Sequence, residues 1–169
     1  MRFSPFVTNS DGNLVPVTIA PMSSADAEQT NLPPLWQTSW TSAFLSSPRF
    51  QKYAAKHGDE LIALGAYEIL DKSLVVHLVY MESQPESNPT IVGANPKYEG
   101  IGQMLIAFGI KLSIDNGFAG DVVLEAKTTR LAKHYEQDFG AVALPSFGNA
   151  PRYLIADEAA KRIFFSYLK

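Results

Sequence analysis

The order of strand and helix signals in these 169 residues predicts an α+β fold. Residues 74–82, LVVHLVYME, are apolar on both faces, which is typical of a central strand covered on both sides. Residues 101–116 carry apolar side chains at helical spacing, and Gly117 supplies a left-handed end to that helix. Residues 121–126, DVVLEA, then give a second buried strand. This alternation of buried strand, helix and buried strand predicts a sheet with helices packed against it.

The segment before the central strand is predicted to contain a hairpin, one or two short helices and further strands. The turn sequence NSDGN separates FSPFVT from LVPVTIA, which predicts a hairpin leading into a first strand near residues 14–20. Ser23 and Ser24 precede a short helix in ADAEQ, and LPPLWQTSWTSAFLSS predicts another. The residues at helical spacing there are Leu35, Trp36, Ser39, Trp40, Ala43 and Phe44. Residues 49–83 predict three strands with turns at 58–59 and 71–73, although the first, around residues 50–55, could equally be helical.

The C-terminal part is predicted to add two helices and two strands. Thr128 or Thr129 is a suitable N-cap for RLAKHYEQDF, and Gly140 ends that helix. AVALPSF and RYLIA are the predicted strands, and Asp157 begins a final helix.

Composition and charge exclude several classes of protein. The chain has 46% hydrophobic and 18% charged residues, which predicts one globular domain over residues 1–169. Without cysteine there is no disulfide framework, thiolate zinc site or cysteine nucleophile, and a reducing compartment, the cytoplasm, is expected. No signal-peptide core or membrane-spanning run is apparent. A net charge of −3 gives no reason to expect nucleic-acid binding, and three scattered histidines predict no metal site.

The stretch NPKYEGIGQML, residues 95–105, places two glycines at the start of a predicted helix. Glycine costs about 1 kcal/mol relative to alanine inside a helix, so its presence needs a reason. A Walker phosphate loop would require Lys and Ser or Thr where Gln103 and Met104 stand. A dinucleotide fingerprint would require a small residue where Leu105 stands. A third class of glycine loop fits better.

PKYEGIGQML resembles the phosphate loop of the GNAT-type N-acetyltransferase superfamily, in which Gln or Arg is followed after two residues by Gly-x-Gly or Gly-x-Ala. Lys97, Gly100 and Gly102 hold those positions, and lysine departs from the family preference while keeping the positive charge. The strand before, the helix and strand after, and AKHYEQDFGAV with Tyr135 extend the similarity over residues 60–145. ESQPESN and EAKTTRLAKHY are also similar to uncharacterised bacterial members of the superfamily.

The resemblance implies a central mixed twisted sheet of about seven strands flanked by helices, here with an extra N-terminal hairpin. It also implies acetyl-CoA as acyl donor, with the pyrophosphate on backbone N–H groups at the positive end of the helix dipole. Those groups belong to Tyr98, Glu99, Gly100, Ile101, Gly102 and Gln103. Glu99 would have to point outward, and Lys97 could screen charge at the rim. The thioester would lie near Tyr80, Met81 and Glu82, and Lys127 is a further candidate contact to CoA or an acidic acceptor.

Two residues are candidates for catalysis. Glu82, at the end of the central strand, is the first candidate for a general base, directly or through a water, and the alternative is a solvated strand-end carboxylate. The family's donor to the leaving thiolate corresponds to Tyr135. A tyrosine with a pKa near 10 is a weaker acid than a thiol near 8.5, so complete proton transfer is uphill by roughly 2 kcal/mol, and a hydrogen bond could be its whole role. The alternative is a core tyrosine packed with Leu131 and Phe139.

The predicted function is transfer of acetyl from acetyl-CoA to a primary amine of a small molecule or peptide, by a monomer or homodimer. The alternatives are a non-catalytic acyl-CoA-binding sensor or regulatory module on the same fold, and a structural domain without cofactor. His77 is expected to be a buried, hydrogen-bonded histidine and His134 an exposed one. Trp36 and Trp40 are expected in the core, with the acceptor cleft as the alternative.

Overall fold

A computed structural model describes residues 1–146 and 148–169 of the chain. Its strands are β1 (Phe6–Asn9), β2 (Leu14–Pro16), β3 (Thr18–Pro21), β4 (Gln51–His57), β5 (Glu60–Leu70), β6 (Val75–Ser83), β7 (Tyr98–Glu99), β8 (Val122–Glu125), β9 (Val142–Leu144) and β10 (Arg152–Ile155). Its α-helices are α1 (Ser24–Gln29), α2 (Pro89–Val92), α3 (Ile101–Asp115), α4 (Thr129–Phe139) and α5 (Asp157–Phe165). A 3-10 turn, Pro85–Ser87, precedes α2.

The chain forms two compact units. Ser4–Tyr67 and Tyr80–Leu105 make up the first, called here the N-terminal unit. Met1–Phe3, Glu68–Val79 and Ile106–Lys169 make up the second, the C-terminal unit. The assignment of residues 1–169 to a single domain stays a prediction.

Seven strands form one mixed sheet in the order β3-β4-β5-β6-β8-β10-β9. β6 and β8 pair in parallel, whereas β4 pairs antiparallel with β3 and β5, and β10 pairs antiparallel with β8 and β9. This sheet confirms the predicted mixed α+β class, with β6 at its centre as the apolar pattern of residues 74–82 indicated. The segment that could have been helical, residues 50–55, belongs to strand β4.

The predicted N-terminal hairpin consists of β1 and β2, paired with Val7 opposite Val15. Its turn is stabilised by Asn9, whose side-chain oxygen accepts from the backbone N–H groups of Asp11 and Asn13. The hairpin also pairs with β7, which gives a separate three-stranded sheet in the order β2-β1-β7. The sequence did not predict that third strand, because two residues are too few to show a strand period.

The predicted caps of the two central helices are confirmed. Gly117 follows α3 with a φ of +80°, and Gly140 follows α4 in the left-handed region with a φ of +67°. Thr128 is the N-cap of α4, its hydroxyl accepting from the N–H of Leu131. α5 begins at Asp157, also as predicted. Strand β9 lies within AVALPSF, and Phe147 of that segment lies outside the described residues.

The helix predicted from residues 35–44 is wrong, because that segment consists of turns and bends. Trp36 and Trp40 are buried, yet they are held by Thr30 instead of by a helical ladder. The Thr30 carbonyl accepts from Trp36 N–H, and the Thr30 hydroxyl accepts from Trp40 N–H. Phe44, on the same predicted face, is 62% exposed. Two consecutive prolines and many Ser and Thr side chains that bond to nearby backbone disfavour a helix here.

No helix of the described residues is long and apolar enough to cross a membrane.

Candidate functional site

The glycine turn, defined as residues 100–103, leads into helix α3. The first hydrogen bond of the helix runs from Met104 N–H to the Gly100 carbonyl at 3.1 Å. The N–H groups of Ile101, Gly102 and Gln103 therefore precede the ladder and have no acceptor inside the helix. They stand at the positive end of the helix dipole, where an anion is favoured. A second hydrogen bond restrains the start of helix α3: the Tyr67 hydroxyl donates to the Leu105 carbonyl at 2.6 Å.

The two glycines of the turn are present for different reasons. Gly100 has a φ of +84°, a left-handed conformation that L side chains rarely adopt. Gly102 has no such φ, and a Cβ there would meet only Met81 Cε at 4.0 Å, an ordinary contact. The chain's own packing thus gives no reason to prefer glycine to alanine at 102, at a helix-propensity cost of about 1 kcal/mol. The open space at that Cβ position, beside three N–H groups, fits the approach of a phosphate group.

The first of the predicted phosphate-binding N–H groups, that of Tyr98, is already engaged within the protein. The Tyr98 N–H donates to the Ser87 hydroxyl at 3.1 Å, so the prediction that it faces the pyrophosphate is wrong. Tyr98 is buried, and it pairs with Asn9 in strand β7. Glu99 is exposed, as the outward orientation required.

Lys97, predicted to screen phosphate charge, is bound to Glu60 through a 2.7 Å contact from its Nζ. The Glu60 carboxylate also accepts from the Tyr98 hydroxyl at 2.7 Å and from Gln84 Nε2 at 3.1 Å. Burial of Glu60 opposes its ionisation, but these three donors outweigh burial and hold its pKa below the usual value. Glu60 lies 37 residues before Lys97 in the sequence, and no local pattern could have paired them.

Glu82, the candidate base, is buried, with 6% of its surface exposed. One carboxylate oxygen accepts from Gln37 N–H at 2.7 Å, and the other accepts from Trp40 Nε1–H at 3.0 Å. The alternative interpretation of a solvated strand-end carboxylate is therefore wrong.

Residues 80 and 81 lie in the same N-terminal unit as the glycine turn. The Tyr80 hydroxyl shares a 2.6 Å hydrogen bond with the Thr38 hydroxyl, and its ring is tilted on Trp40 at 5.6 Å between centroids. Met81 Cε lies 4.0 Å from the position that a Cβ on Gly102 would occupy. Residues 37–40 are thus held against the end of β6, and sequence reasoning missed this role because a helical pattern concealed it.

Tyr135 belongs to the C-terminal unit, on α4. It is buried, with its ring 6.1 Å from that of Phe139 and 6.2 Å from that of Tyr153. Burial, with a smaller contribution from the negative charge of Glu125, raises the pKa of Tyr135 to about 12. Among the described residues its hydroxyl has no hydrogen-bond partner. Lys127, also in this unit, is exposed beyond the end of β8.

A further polar cluster of the C-terminal unit joins three neighbouring strands. His77 Nε2 lies 2.8 Å from the Glu125 carboxylate, and Arg152 Nε lies 3.4 Å from it. Burial opposes the ionisation of Glu125, but His77 and Arg152 together hold its pKa below the usual value. His77 was expected to be buried and hydrogen-bonded: the hydrogen bond is confirmed, but the residue is half-buried, with 15% of its side chain exposed. His134 is exposed and pairs with Asp138.

The structure therefore gathers most of the predicted residues in one unit. Tyr80, Met81, Glu82, Lys97, Tyr98, Glu99 and the glycine turn all belong to the N-terminal unit, whereas Lys127 and Tyr135 belong to the C-terminal unit.

Solved structures show where this fold occurs elsewhere. No protein-family model and no curated protein matches the sequence. The PaiA N-acetyltransferase of Thermoplasma acidophilum, solved with coenzyme A, covers 83% of this chain and 99% of its own, with a TM-score of 0.57 at 13% identity. The GNAT domain of S. lividans PAT covers 92% of this chain and 97% of its own, with a TM-score of 0.59 at 14% identity. An uncharacterised protein from Bacillus halodurans matches 99% of this chain and 97% of its own length, with a TM-score of 0.63 at 6% identity.

Identities this low show the fold alone. The chain has the fold of the GNAT-type N-acetyltransferases, with the seven-stranded mixed sheet that the resemblance implied.

Proposed function

We propose that this chain is an acetyl-CoA-dependent N-acetyltransferase that acts on a primary amine of a small molecule or peptide. The observation that carries the proposal is the glycine turn. It presents the N–H groups of Ile101, Gly102 and Gln103 at the positive end of α3, next to a glycine that the chain's own packing does not require. Because the chain lacks cysteine and so needs no oxidising compartment, we propose that it is located in the cytoplasm.

Acetyl-CoA would supply an acetyl thioester, and this chain's residues would hold it at two places. The N–H groups of the glycine turn would bind the pyrophosphate, and the open Cβ position of Gly102 would leave room for its oxygens. Residues 80–82 would present backbone N–H and carbonyl groups to the amide-bearing arm, as a neighbouring strand would. The nearness of Met81 to Gly102, with Met81 Cε 4.0 Å from the position of a Cβ there, supports this assignment. Lys97 would act at the rim, sharing its charge with Glu60.

Glu82 is the proposed general base. An alkyl amine with a pKa of about 10.4 is mostly protonated at neutral pH, and exposing its lone pair costs on the order of 4–5 kcal/mol. The ammonium would first lose one proton to water. As the amine nitrogen then bonds to the acetyl carbon and the carbon–sulfur bond breaks, its second proton would pass to a Glu82 carboxylate oxygen, directly or through a water. The donors Gln37 and Trp40 would hold that carboxylate in a fixed orientation.

Tyr135 is the proposed hydrogen-bond donor to the leaving sulfur. Its pKa of about 12 makes it a weaker acid than a thiol near 8.5 by about 3.5 units, so full proton transfer would be uphill by about 5 kcal/mol. The tyrosine would therefore keep its proton and stabilise the thiolate, which would be protonated by solvent. A hydroxyl with no other partner among the described residues is suited to that role.

The second candidate function is a non-catalytic acyl-CoA sensor on the same fold. The observation that favours it is the engagement of Glu82, whose two oxygens already accept from residues 37 and 40 at a buried position. A carboxylate used in this way could serve only to hold that segment in place.

A panel of amines, assayed for CoA release from acetyl-CoA, tests the proposal. The panel should contain diamines, amino sugars and peptides with free N-termini, and binding of CoA should be measured in parallel by calorimetry. Release above the hydrolysis rate with at least one amine, lost in Glu82→Gln, is expected for the enzyme. Binding of CoA without release for any amine would favour the sensor, and the absence of both would contradict both candidates.

A further inference from the structure

We infer that the N-terminal hairpin β1–β2 positions the glycine turn for the cofactor, and that Thr8 is the residue through which it does so. The inference rests on the proposed function, since it concerns how firmly the proposed pyrophosphate site is held. It assigns a role in the cofactor site to a hairpin that is separate from the seven-stranded sheet.

The hairpin reaches the glycine turn through strand β7. Strand β1 is the middle strand of the three-stranded sheet, with β2 on one side and β7 on the other. In the β1–β7 pair, Thr8 lies opposite Glu99 and Asn9 lies opposite Tyr98. Glu99 directly precedes Gly100, so the pairing ends where the glycine turn begins.

The hydrogen bonds of β1 show which residue faces β7. The carbonyl of Pro5, the residue directly before β1, accepts from Val17 N–H, and Asn9 N–H donates to the Asn13 carbonyl, so Pro5 and Asn9 face the β2 side. Successive residues of a strand direct their backbone groups to alternate sides, so Thr8 faces β7 and pairs with Glu99. The orientation of Tyr98 agrees with this, since its N–H points away and donates to Ser87.

Two sets of contacts restrain the residues that lead into the glycine turn, and one of them is the pairing of Thr8 with Glu99. Gly100 adopts a left-handed conformation that is one of many open to glycine, and fixing a residue costs about 1–2 kcal/mol of conformational entropy. A turn that is fixed before the ligand arrives does not lose that entropy on binding. The Glu60 cluster holds the chain at Lys97 and Tyr98, and Thr8 holds the last residue before the glycine.

Thr8 is thus a positioning residue, which touches the turn's neighbour and acts on the cofactor through it. Loss of its pairing should weaken CoA binding and raise the KM for acetyl-CoA, with kcat retained. A residue that contributed only to folding would change the unfolding temperature and leave the dissociation constant of the folded protein unchanged.

The experiment compares Thr8→Pro with Leu14→Pro in the full chain, by calorimetric titration with CoA. Proline at 8 removes the N–H that faces β7. Leu14 lies opposite Thr8 in the same hairpin, is 55% exposed and belongs to the edge strand, where its N–H faces outward and proline is tolerated. Thr8→Pro should weaken CoA binding about tenfold or more, while Leu14→Pro stays within about twofold of the wild type. Equal affinities of the two variants would overturn the inference.

If Thr8→Pro does not fold, hydrogen exchange on the wild type tests whether Thr8 and the glycine turn are coupled. CoA should slow exchange at the Thr8 and Glu99 amides and leave the β2-facing Asn9 amide unchanged, because coupling between two sites is reciprocal. Slowing confined to residues 101–103 would overturn the inference and leave the proposed function intact. A wild type that binds no CoA at all would overturn the proposed function, and this inference with it.

Discussion

The glycine turn and the two candidate catalytic side chains use their polar groups in opposite ways. In the turn, the N–H groups of residues 101–103 precede the helix ladder, and the Cβ position of Gly102 is open. Glu82, in contrast, already accepts from Gln37 and Trp40, and Tyr135 is buried in a cluster of aromatic rings. The glycine turn is therefore direct support for a bound anion. Glu82 and Tyr135 support catalysis only if their present contacts also serve the reaction. Each of the following variants tests either anion binding at the turn or catalysis by these two side chains.

The largest effect is expected from Gly102→Glu, which should abolish binding of acetyl-CoA. The glutamate places bulk and negative charge where the phosphate oxygens would lie. At about 100 times its dissociation constant, acetyl-CoA should stabilise the wild type by about 2.7 kcal/mol, or roughly 5–10 °C in a thermal scan. The variant should show no shift.

Gly102→Ala is the matched control for that variant. A Cβ at 102 meets only Met81 Cε at 4.0 Å, so the free protein should gain up to about 1 kcal/mol of stability from helix propensity. Cofactor binding should weaken only a few-fold, because the family pattern has Gly or Ala at this position and the backbone N–H groups remain. A loss of binding as complete as that of Gly102→Glu would contradict the assignment of the phosphate to these N–H groups.

Glu82→Gln should lower kcat by about 10²–10⁴ if the carboxylate is the general base. The amide NH2 would face a donor, Gln37 N–H or Trp40 Nε1–H, which should also cost about 1–3 kcal/mol in urea unfolding. Trp40→Phe is the control, because it removes one donor and keeps the carboxylate. If both variants lose the same fraction of kcat in the folded protein, Glu82 acts by holding residues 37–40 and is not the base.

Tyr135→Phe should lower kcat about tenfold and leave CoA affinity nearly unchanged, since only the hydrogen bond to the leaving sulfur is lost. Its effect on alkaline stability is a separate readout. The pKa of Tyr135 is about 12 when folded and about 10 when unfolded, so its stabilisation is complete below pH 10 and is lost as the pH rises to about 12. This contribution of Tyr135 amounts to about 3 kcal/mol and should be absent from the variant, which keeps the alkaline loss that comes from the buried tyrosines Tyr67 and Tyr167. Equal activity of the variant and the wild type would remove Tyr135 from the mechanism.

The smallest effect is expected from Lys97→Met. Its pair with Glu60 is half exposed, and such pairs contribute about 0–1 kcal/mol to stability. CoA affinity should fall only a few-fold at low salt, and the difference should shrink as salt screens the charge. A loss comparable to that of Gly102→Glu would show that the lysine, and not the backbone, carries the phosphate binding.

The parts of the fold that could be predicted from sequence are those fixed by local chemistry. The hairpin followed from an Asp-Gly turn, α4 from Thr128 and Gly140 at its ends, and β6 from its continuous apolar run. The turns of residues 35–44 could not be predicted, because helical spacing of apolar residues does not show that Thr30 and Glu82 bind the two tryptophans.

The candidate site divides in the same way. The glycine turn has a local sequence signature. Glu60 lies 37 residues from its partner Lys97 and Gln37 lies 45 residues from its partner Glu82, and no local pattern indicates either pairing. The prediction for the Tyr98 N–H fails because that group donates to the Ser87 hydroxyl, a contact that depends on the path of the whole loop between the two residues.

Backbone amide NMR of the wild type during titration with CoA, and separately with pantetheine, tests the central claim most directly. Pantetheine has the amide-bearing arm and lacks the pyrophosphate. CoA should shift the amide signals of Ile101, Gly102 and Gln103 strongly downfield, as expected for new hydrogen bonds to phosphate, and pantetheine should leave them in place. Unchanged signals at these three residues with saturating CoA would contradict the account.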